Sequence, residues 1–147
     1  MWLKSDAFTE GGVIPERLTL RGGNVAPRLR WDEFSEETKS FVIIMEDPDA
    51  SGPKPWVHWV LYDIPPYPVN WETEYAGQVG KNSWDETRYM GPDPPSGDGI
   101  HNYVFKLYAL SRDNLPYVGN ATKEEVLEVA EPYIIDVARL TGNYTSF

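Results

Sequence analysis

The sequence predicts a mostly β domain with a helical segment near the C-terminus. Three segments rich in branched and aromatic residues, 41–45, 56–64 and 101–110, have the length and composition of strands. Thirteen prolines and twelve glycines divide the chain, a mixture that suits short strands joined by rigid turns better than long helices. The 147 residues match the size of one ordinary domain, so we expect a single domain over residues 1–147.

Glycine pairs and prolines interrupt the first 40 residues, so only short elements are expected there. Residues 17–21 are interpreted as a short strand. Residues 24–31 are interpreted as an extended loop, because the proline that follows Ala26 keeps this residue out of the helical region.

The central segments give the clearest strand signals. Residues 41–45 form a continuous apolar run, typical of a buried strand, which is followed by the turn signal Asp47-Pro48-Asp49. Alternation along residues 56–64 would place one set of side chains on a common face: Trp56, His58, Val60, Tyr62 and Ile64. Residues 69–85 are interpreted mostly as loop.

A stretch rich in proline and glycine, residues 91–99, leads into the third strand. Alternation along residues 101–110 would place a second set of side chains on one face: His101, Tyr103, Phe105, Leu107 and Ala109. His101 and Tyr103 would therefore point to the same side.

A capping signal opens the helical segment. Thr122 followed three residues later by Glu125 is a capping box, and apolar residues follow at helical spacing. Pro132 then interrupts the helix, because proline removes a backbone donor and clashes with the preceding turn. A second helical piece is expected over residues 133–140, ending at Gly142.

Composition excludes several classes of function. The formal net charge of −10 repels phosphate backbones and anionic membrane surfaces, so we expect neither a nucleic acid nor a membrane as partner. The chain has no cysteine, which excludes disulfides, cysteine-ligated metals and a cysteine nucleophile. No segment has the length and apolarity of a membrane span or signal peptide, and we expect a cytoplasmic protein.

The only two histidines, His58 and His101, lie at the starts of two predicted strands, and Asp47 follows the end of a third. If the strands are neighbours, two imidazoles and a carboxylate could share one pocket. A protonated pair could hold an anion, with Asp47 raising both histidine pKa values. Neutral imidazoles with the carboxylate could instead hold a metal, or a His–Asp pair could act as a general base. Spacing alone leaves these alternatives open, since a single histidine at a strand start more commonly has a structural role.

Two motifs resemble the signatures of the phosphatidylethanolamine-binding protein family, which includes the Raf kinase inhibitor proteins. The first is Asp47-Pro48-Asp49-Ala50 followed by Trp56-Val57-His58-Trp59. The second is Tyr89-Met90-Gly91-Pro92-Asp93-Pro94-Pro95, continued by Gly97, Gly99-Ile100-His101 and Tyr103. The resemblance extends over nearly the whole chain, and the compact length is similar to that of the prokaryotic-type branch.

The resemblance implies a large central antiparallel sheet with a smaller flanking sheet, a few short helices and a C-terminal helix. It also implies a pocket for phosphate-like anions, including phospholipid head groups. The ligand-binding positions carry over to Asp47, Trp56, His58, Asp93, Pro95, His101 and Tyr103. The family contribution at Asp93 is a backbone donor. The family also has a cis peptide bond, which falls here between Lys54 and Pro55.

Three positions depart from the family pattern. Asn102 stands where arginine is common, so Asp49 needs another partner, such as a backbone donor or Lys54. Asp93 stands where a small residue is common, and its carboxylate would repel an anion if it pointed inward. Tyr133 replaces a histidine that is common in the C-terminal helix of prokaryotic members.

The expected function is binding of a small anion, phosphate or a phosphorylethanolamine-like head group, with a regulatory role. The alternative is an inhibitor of a kinase or protease that acts through the loops around the pocket, residues 51–55 and 93–99. A metal-dependent or hydrolytic enzyme is least favoured, because the sequence contains neither a nucleophile elbow nor a zinc-protease histidine pair. We expect no catalytic residue, no metal ligand and no cofactor. The resemblance is also compatible with a homodimer.

Overall fold

A computed structural model describes residues 1–67 and 76–146. Strands β1 (Trp2–Ser5) and β2 (Leu29–Asp32) form a small antiparallel sheet. The large antiparallel sheet has the order β5-β4-β3-β6-β7. Its strands are β3 (Ser40–Asp47), β4 (Trp56–Ile64), β5 (Gln78–Val79), β6 (His101–Leu110) and β7 (Ile134–Tyr144). One α-helix, α1 (Lys123–Ala130), precedes β7 among the described residues. This architecture confirms the predicted fold class.

Strand β3 lies at the centre of the large sheet and is buried along its whole length. Phe41, Ile43 and Met45 pack in the layer that contains the small sheet. Val42 and Ile44 pack in the layer that contains α1. Because both faces are covered, this strand has a continuous apolar run rather than alternation.

Strand β4 has the predicted bounds, but its predicted face is wrong. The pairing passes from Met45–Trp59 to Glu46–Val57 and leaves His58 as an extra residue on β4. Because of this irregularity, His58 faces the same layer as its neighbour Trp59, the small-sheet layer, and contacts Tyr103 there. Val57 packs in the layer that contains the helix. A second shift precedes Ile64, which consequently faces the small-sheet layer and not the layer of Val60.

Strand β6 also has the predicted bounds, and its predicted inner face is confirmed. The five side chains on that face are all buried: His101, Tyr103, Phe105, Leu107 and Ala109. Together with β3 and β4, this strand positions the candidate site.

The second helical piece predicted over residues 133–140 is wrong. After α1, a short 3-10 turn at Glu131–Tyr133 leads into β7, which pairs with β6 from His101–Tyr144 to Leu110–Ile134. The segment is rich in β-branched residues, which favour extended backbone. The open edge of β6 offers a full ladder of backbone partners, so the strand prevails and runs through Gly142.

The short N-terminal elements also differ from the predictions. The strand predicted over residues 17–21 is a 3-10 turn at Glu16–Leu18 followed by further turns. The loop predicted over residues 24–31 ends as β2. Of the mostly loop segment 69–85, residues 69–75 lie outside the described residues, and the remainder contains only the short β5.

Helix α1 begins as predicted, since the Thr122 hydroxyl accepts a hydrogen bond from the backbone N–H of Glu125. The buried Glu46 carboxylate on β3 accepts from Lys106 on β6 at 3.0 Å and also from Lys123 at the start of α1. This ion cluster ties the helix to the sheet. No helix in the described part of the chain is long and apolar enough to cross a membrane.

Candidate functional site

A cavity of about 290 Å³ lies where three strands of the large sheet meet. β3 runs antiparallel to both neighbours, so its last residue lies beside the first residues of β4 and β6. All seven sequence-predicted residues line this cavity: Asp47, Trp56, His58, Asp93, Pro95, His101 and Tyr103. Four further lining residues were not predicted as ligand-binding: Ala50, Ser51, Trp84 and Pro94. Ser51 and Pro94 belong to the loops that were expected around the pocket.

His101 is held between two carboxylates. Its Nδ1 lies 2.6 Å from Oδ2 of Asp47, and its Nε2 lies 2.5 Å from Oδ2 of Asp98. Burial lowers the pKa of His101, but the hydrogen bonds and charges of both carboxylates outweigh burial and raise the pKa above its ordinary value. The Asp47 carboxylate is itself fixed, because its Oδ1 accepts the backbone N–H of Asp49 at 2.8 Å. Since each ring nitrogen faces a carboxylate oxygen that accepts, the arrangement fits a buried imidazolium, which carries a proton on both nitrogens.

His58 has a different environment. Its Nδ1 lies 2.6 Å from the Met90 carbonyl oxygen, which can only accept, so Nδ1 carries the proton. Burial lowers the pKa of His58, against smaller opposing effects of the Met90 carbonyl and the Asp47 charge. The expectation that Asp47 keeps both imidazoles protonated is therefore wrong for His58. In the neutral ring, Nε2 is a hydrogen-bond acceptor.

Tyr103 lies between the two histidines. Its ring meets that of His58 edge-on at 5.2 Å and lies nearly parallel to that of His101 at 6.5 Å. Burial raises the pKa of the Tyr103 hydroxyl, and the Asp47 and Asp93 charges raise it further. The backbone N–H of Asp93 faces the hydroxyl oxygen and opposes this shift of the pKa. The O–H itself has no acceptor among residues 1–67 and 76–146. It is a donor that a ligand oxygen in the cavity would satisfy.

Two tryptophans form one wall of the cavity. Trp84 packs edge-on against His58 at 5.0 Å and against Trp56 at 5.5 Å. Trp56 is 38% exposed, so this wall reaches the surface. Trp84 belongs to the segment predicted mostly as loop, where periodicity gives no side-chain direction. A large aromatic among polar residues was the one signal that could have identified it.

The loop that carries Gly91 is anchored on the N-terminal segment. The Asn24 side chain donates to the Tyr89 carbonyl at 2.9 Å and accepts from the Gly91 amide at 2.8 Å. The Tyr89 hydroxyl donates to the Leu18 carbonyl at 2.7 Å. A Cβ on Gly91 would lie 1.9 Å from that same carbonyl oxygen, so only glycine fits.

The Asp93 carboxylate has a cationic partner outside the histidine cluster. Arg21 Nε donates to Asp93 Oδ1 at 2.8 Å, and the Asp93 side chain is 27% exposed. This pairing partly neutralises the carboxylate, which was expected to repel an anion only if it pointed inward.

The described residues contain no group of three or more His, Cys, Asp and Glu side chains that could hold a metal ion. The cavity is therefore lined by an imidazolium, a buried hydroxyl and an aromatic wall.

The family model described as Phosphatidylethanolamine-binding protein matches residues 4–145. The chain belongs to the phosphatidylethanolamine-binding protein family. A UPF0098 protein of Methanothermobacter thermautotrophicus is 41% identical over 152 residues, covering 98% of this chain and 98% of the relative.

Two solved structures of phosphatidylethanolamine-binding protein homologues share the fold. The homologue CT736 of Chlamydia trachomatis has a TM-score of 0.90 and 33% identity, covering 99% of this chain and 97% of the other. Escherichia coli YbcL has a TM-score of 0.89 and 27% identity, covering 99% and 98% of the two chains. These likenesses fit the prokaryotic-type branch of the phosphatidylethanolamine-binding protein family.

Asn102 replaces the arginine expected from the family pattern, yet Asp49 is not left without a donor. The backbone N–H of Asn102 donates to Asp49 Oδ2 at 2.8 Å, and the Asn102 side-chain amide donates to the same oxygen at 3.0 Å. The expected backbone donor is therefore supplied by Asn102 itself.

Proposed function

We propose that the cavity binds a small phosphate-type anion and that the protein acts as a non-enzymatic, regulatory binding protein. The observation that carries this proposal is the buried Tyr103 O–H, which has no acceptor in the described part of the chain, beside the His101 imidazolium. A buried donor without a partner costs about 1–3 kcal/mol. A ligand oxygen that accepts from Tyr103 would remove this cost and, in the same place, gain the attraction of a cation.

The second histidine favours a particular protonation state of the ligand. Neutral His58 offers an acceptor at Nε2, so it pairs best with an oxygen that still carries a proton. A phosphomonoester loses its second proton near pH 6 and so carries both an ionised oxygen and a P–OH group in mildly acidic solution. Binding should therefore weaken as pH rises, because both this proton and that of His101 are lost.

The size of the cavity supports a head group rather than a whole lipid. At about 290 Å³ it lies at the lower end of ligand sites, which typically have volumes of roughly 300–1,000 Å³. The formal net charge of −10 disfavours adsorption to anionic membranes. A free phosphate or a phosphorylethanolamine-like metabolite in the cytoplasm is the proposed ligand.

A second candidate function is inhibition of a kinase or protease through the surface around the cavity. Ile100, beside His101, is 66% exposed, and Trp56 is 38% exposed. These apolar side chains would offer contacts to a protein partner or to a second copy of the chain.

Calorimetric titration of inorganic phosphate and O-phosphorylethanolamine at pH 6 and pH 8 tests the anion proposal. Wild type should bind at pH 6 and about tenfold more weakly at pH 8, where the phosphate has lost its second proton. His101→Gln keeps a side chain of similar size without the cation and should bind about tenfold more weakly at pH 6. Equal affinity in wild type and His101→Gln would contradict the proposal, as would the absence of binding at both pH values.

A further inference from the structure

Asp98 occupies the one hydrogen-bonding position of His101 that an external anion could take. Its carboxylate Oδ2 lies 2.5 Å from His101 Nε2, and Asp47 holds the other ring nitrogen at 2.6 Å. His101 therefore has no free N–H to offer. A phosphate-type anion can bond to this imidazolium only by replacing one of the two carboxylates.

The two carboxylates differ in how firmly they are held. The Asp47 side chain is 5% exposed and also accepts the Asp49 backbone N–H. The Asp98 side chain is 45% exposed, and His101 is its only hydrogen-bond or ion-pair partner within the described residues. A displaced Asp98 carboxylate would be hydrated, whereas a displaced Asp47 carboxylate would remain buried. Asp98 is therefore the exchangeable partner.

The backbone around Asp98 is compatible with such an exchange. Gly97 and Gly99 flank it with φ angles of +79° and +83°, and no atom lies within 4 Å of a Cβ built on either glycine. Residues 95–100 are all exposed. Two backbone hydrogen bonds hold this segment, from Asp98 to Pro95 at 3.0 Å and from Gly97 to Ser146 at 3.3 Å. Neither involves the Asp98 side chain.

We propose that Asp98 is an internal competitor for the anion site, whose carboxylate occupies His101 Nε2 in the free protein and leaves when a phosphate-type ligand binds. This inference rests on the proposed function. The exchange replaces one anion by another on the same imidazolium, so the cation is never left without a partner. Apparent affinity is the intrinsic affinity multiplied by the fraction of molecules in which Asp98 has left this position.

The Asp98 carboxylate should also make the site selective among anions. A ligand with a single carboxylate offers His101 nothing that Asp98 does not already provide within the same chain. A phosphomonoester can bond to His101, Tyr103 and His58 together through three of its oxygens. The site should therefore discriminate phosphate-type ligands from simple carboxylates, and loss of Asp98 should reduce that discrimination.

Calorimetric titration of inorganic phosphate and of acetate at pH 6 into wild type, Asp98→Asn and Asp98→Ala tests the proposal. Glu36→Gln is the matched control, because it makes the same change of charge as Asp98→Asn in an exposed segment before β3, at the opposite end of that strand from Asp47. Both Asp98 variants should bind phosphate on the order of tenfold more tightly than wild type, and acetate binding should become measurable. The control should leave phosphate affinity within about twofold of wild type.

The outcomes separate this inference from the proposed function. Phosphate binding that is equal or weaker in both Asp98 variants, with wild type binding normally, would overturn the competitor and leave the anion site intact. No phosphate binding in any variant would overturn both, since a site freed of its competitor should bind. Thermal melts check that the variants are folded. Loss of the contact between the Asp98 carboxylate and His101 should also lower the pKa of His101, measured by NMR in the free proteins, in Asp98→Asn relative to wild type.

Discussion

Tyr103 and His101 lie two residues apart on the inner face of β6, with ring centroids 6.5 Å apart and planes inclined by 28°. His101 has a carboxylate on each ring nitrogen, whereas the Tyr103 O–H has no acceptor among the described residues. One side chain thus supplies a cation and the other an unused donor on the same wall of the cavity. Removal of the Tyr103 hydroxyl is therefore expected to have opposite effects on the stability of the free protein and on ligand binding.

Replacing Tyr103 by phenylalanine should stabilise the free protein while weakening phosphate binding. Removal of an unpaired buried hydroxyl should raise the free energy of unfolding by about 1 kcal/mol. Loss of the donor should reduce phosphate affinity by about tenfold. Tyr108→Phe is the matched control, because Tyr108 lies on the same strand but packs in the helix-side layer. Denaturant unfolding and calorimetry measure the two effects, and a Tyr103→Phe protein that is less stable than wild type would argue against an unpaired hydroxyl.

The two histidines should titrate on opposite sides of the ordinary value of 6.5. Carboxylate contacts raise the pKa of His101, and burial lowers that of His58. NMR of the imidazole protons can follow each residue, since the chain has only two histidines. Two superimposable titrations near pH 6.5 would contradict the described environments.

These shifts have a defined sign for stability. The raised pKa of His101 contributes stability that is complete below pH 6.5 and is lost as pH rises through the folded-state pKa. The lowered pKa of His58 acts in the other direction, because the unfolded chain binds a proton below pH 6.5 that the folded chain does not. His101→Gln should therefore reduce the loss of stability on the alkaline side, measured by urea unfolding between pH 6 and pH 9. An unchanged slope would contradict the assignment.

Gly91→Ala should disrupt the loop that forms one side of the cavity. The new methyl group would lie 1.9 Å from the Leu18 carbonyl oxygen, a backbone atom that cannot rotate away. Overpacking of this kind costs about 1–3 kcal/mol. Gly52→Ala is a suitable comparison, because no atom lies within 4 Å of its Cβ position, although its φ of +120° adds backbone strain of its own. A melting temperature for Gly91→Ala equal to that of wild type would contradict the close approach.

Glu46→Gln should loosen α1 from the sheet. Burial raises the pKa of Glu46, but the hydrogen bonds and charges of Lys123 and Lys106 outweigh it and hold the pKa below its usual value of 4.5. The carboxylate therefore contributes stability that is present above pH 4.5 and lost as pH falls through the lower folded-state pKa. We expect the variant to lose about 2–3 kcal/mol at pH 7, because two lysines lose their buried partner. Unfolding at pH 7 and pH 3.5 should show a smaller difference between the proteins at the lower pH.

The strands that build the site could be predicted because their signals are local. Residues 56–64 and 101–110 are long, apolar and bounded by proline or glycine, so β4 and β6 appear with their predicted bounds. The two family signatures lie at or next to the starts of these strands. The resemblance to the family then predicted which of their residues share a pocket.

Features that depend on pairing or on loop paths could not be predicted in this way. The pattern of residues 133–140 fits a helix or a strand, and only the open edge of β6 decides in favour of β7. The extra residue at His58 arises from the register between β3 and β4, which no single segment encodes. The contact between Asp98 and His101 crosses a glycine-bounded turn, where periodicity carries no information.

Histidine NMR during a phosphate titration tests the central claim most directly. At pH 6, inorganic phosphate should shift the ring signals of both His58 and His101 saturably, with one dissociation constant that matches calorimetry, and Tyr103→Phe should weaken that constant by about tenfold. Ring signals of both histidines that stay unchanged at saturating phosphate would contradict an anion site in this cavity.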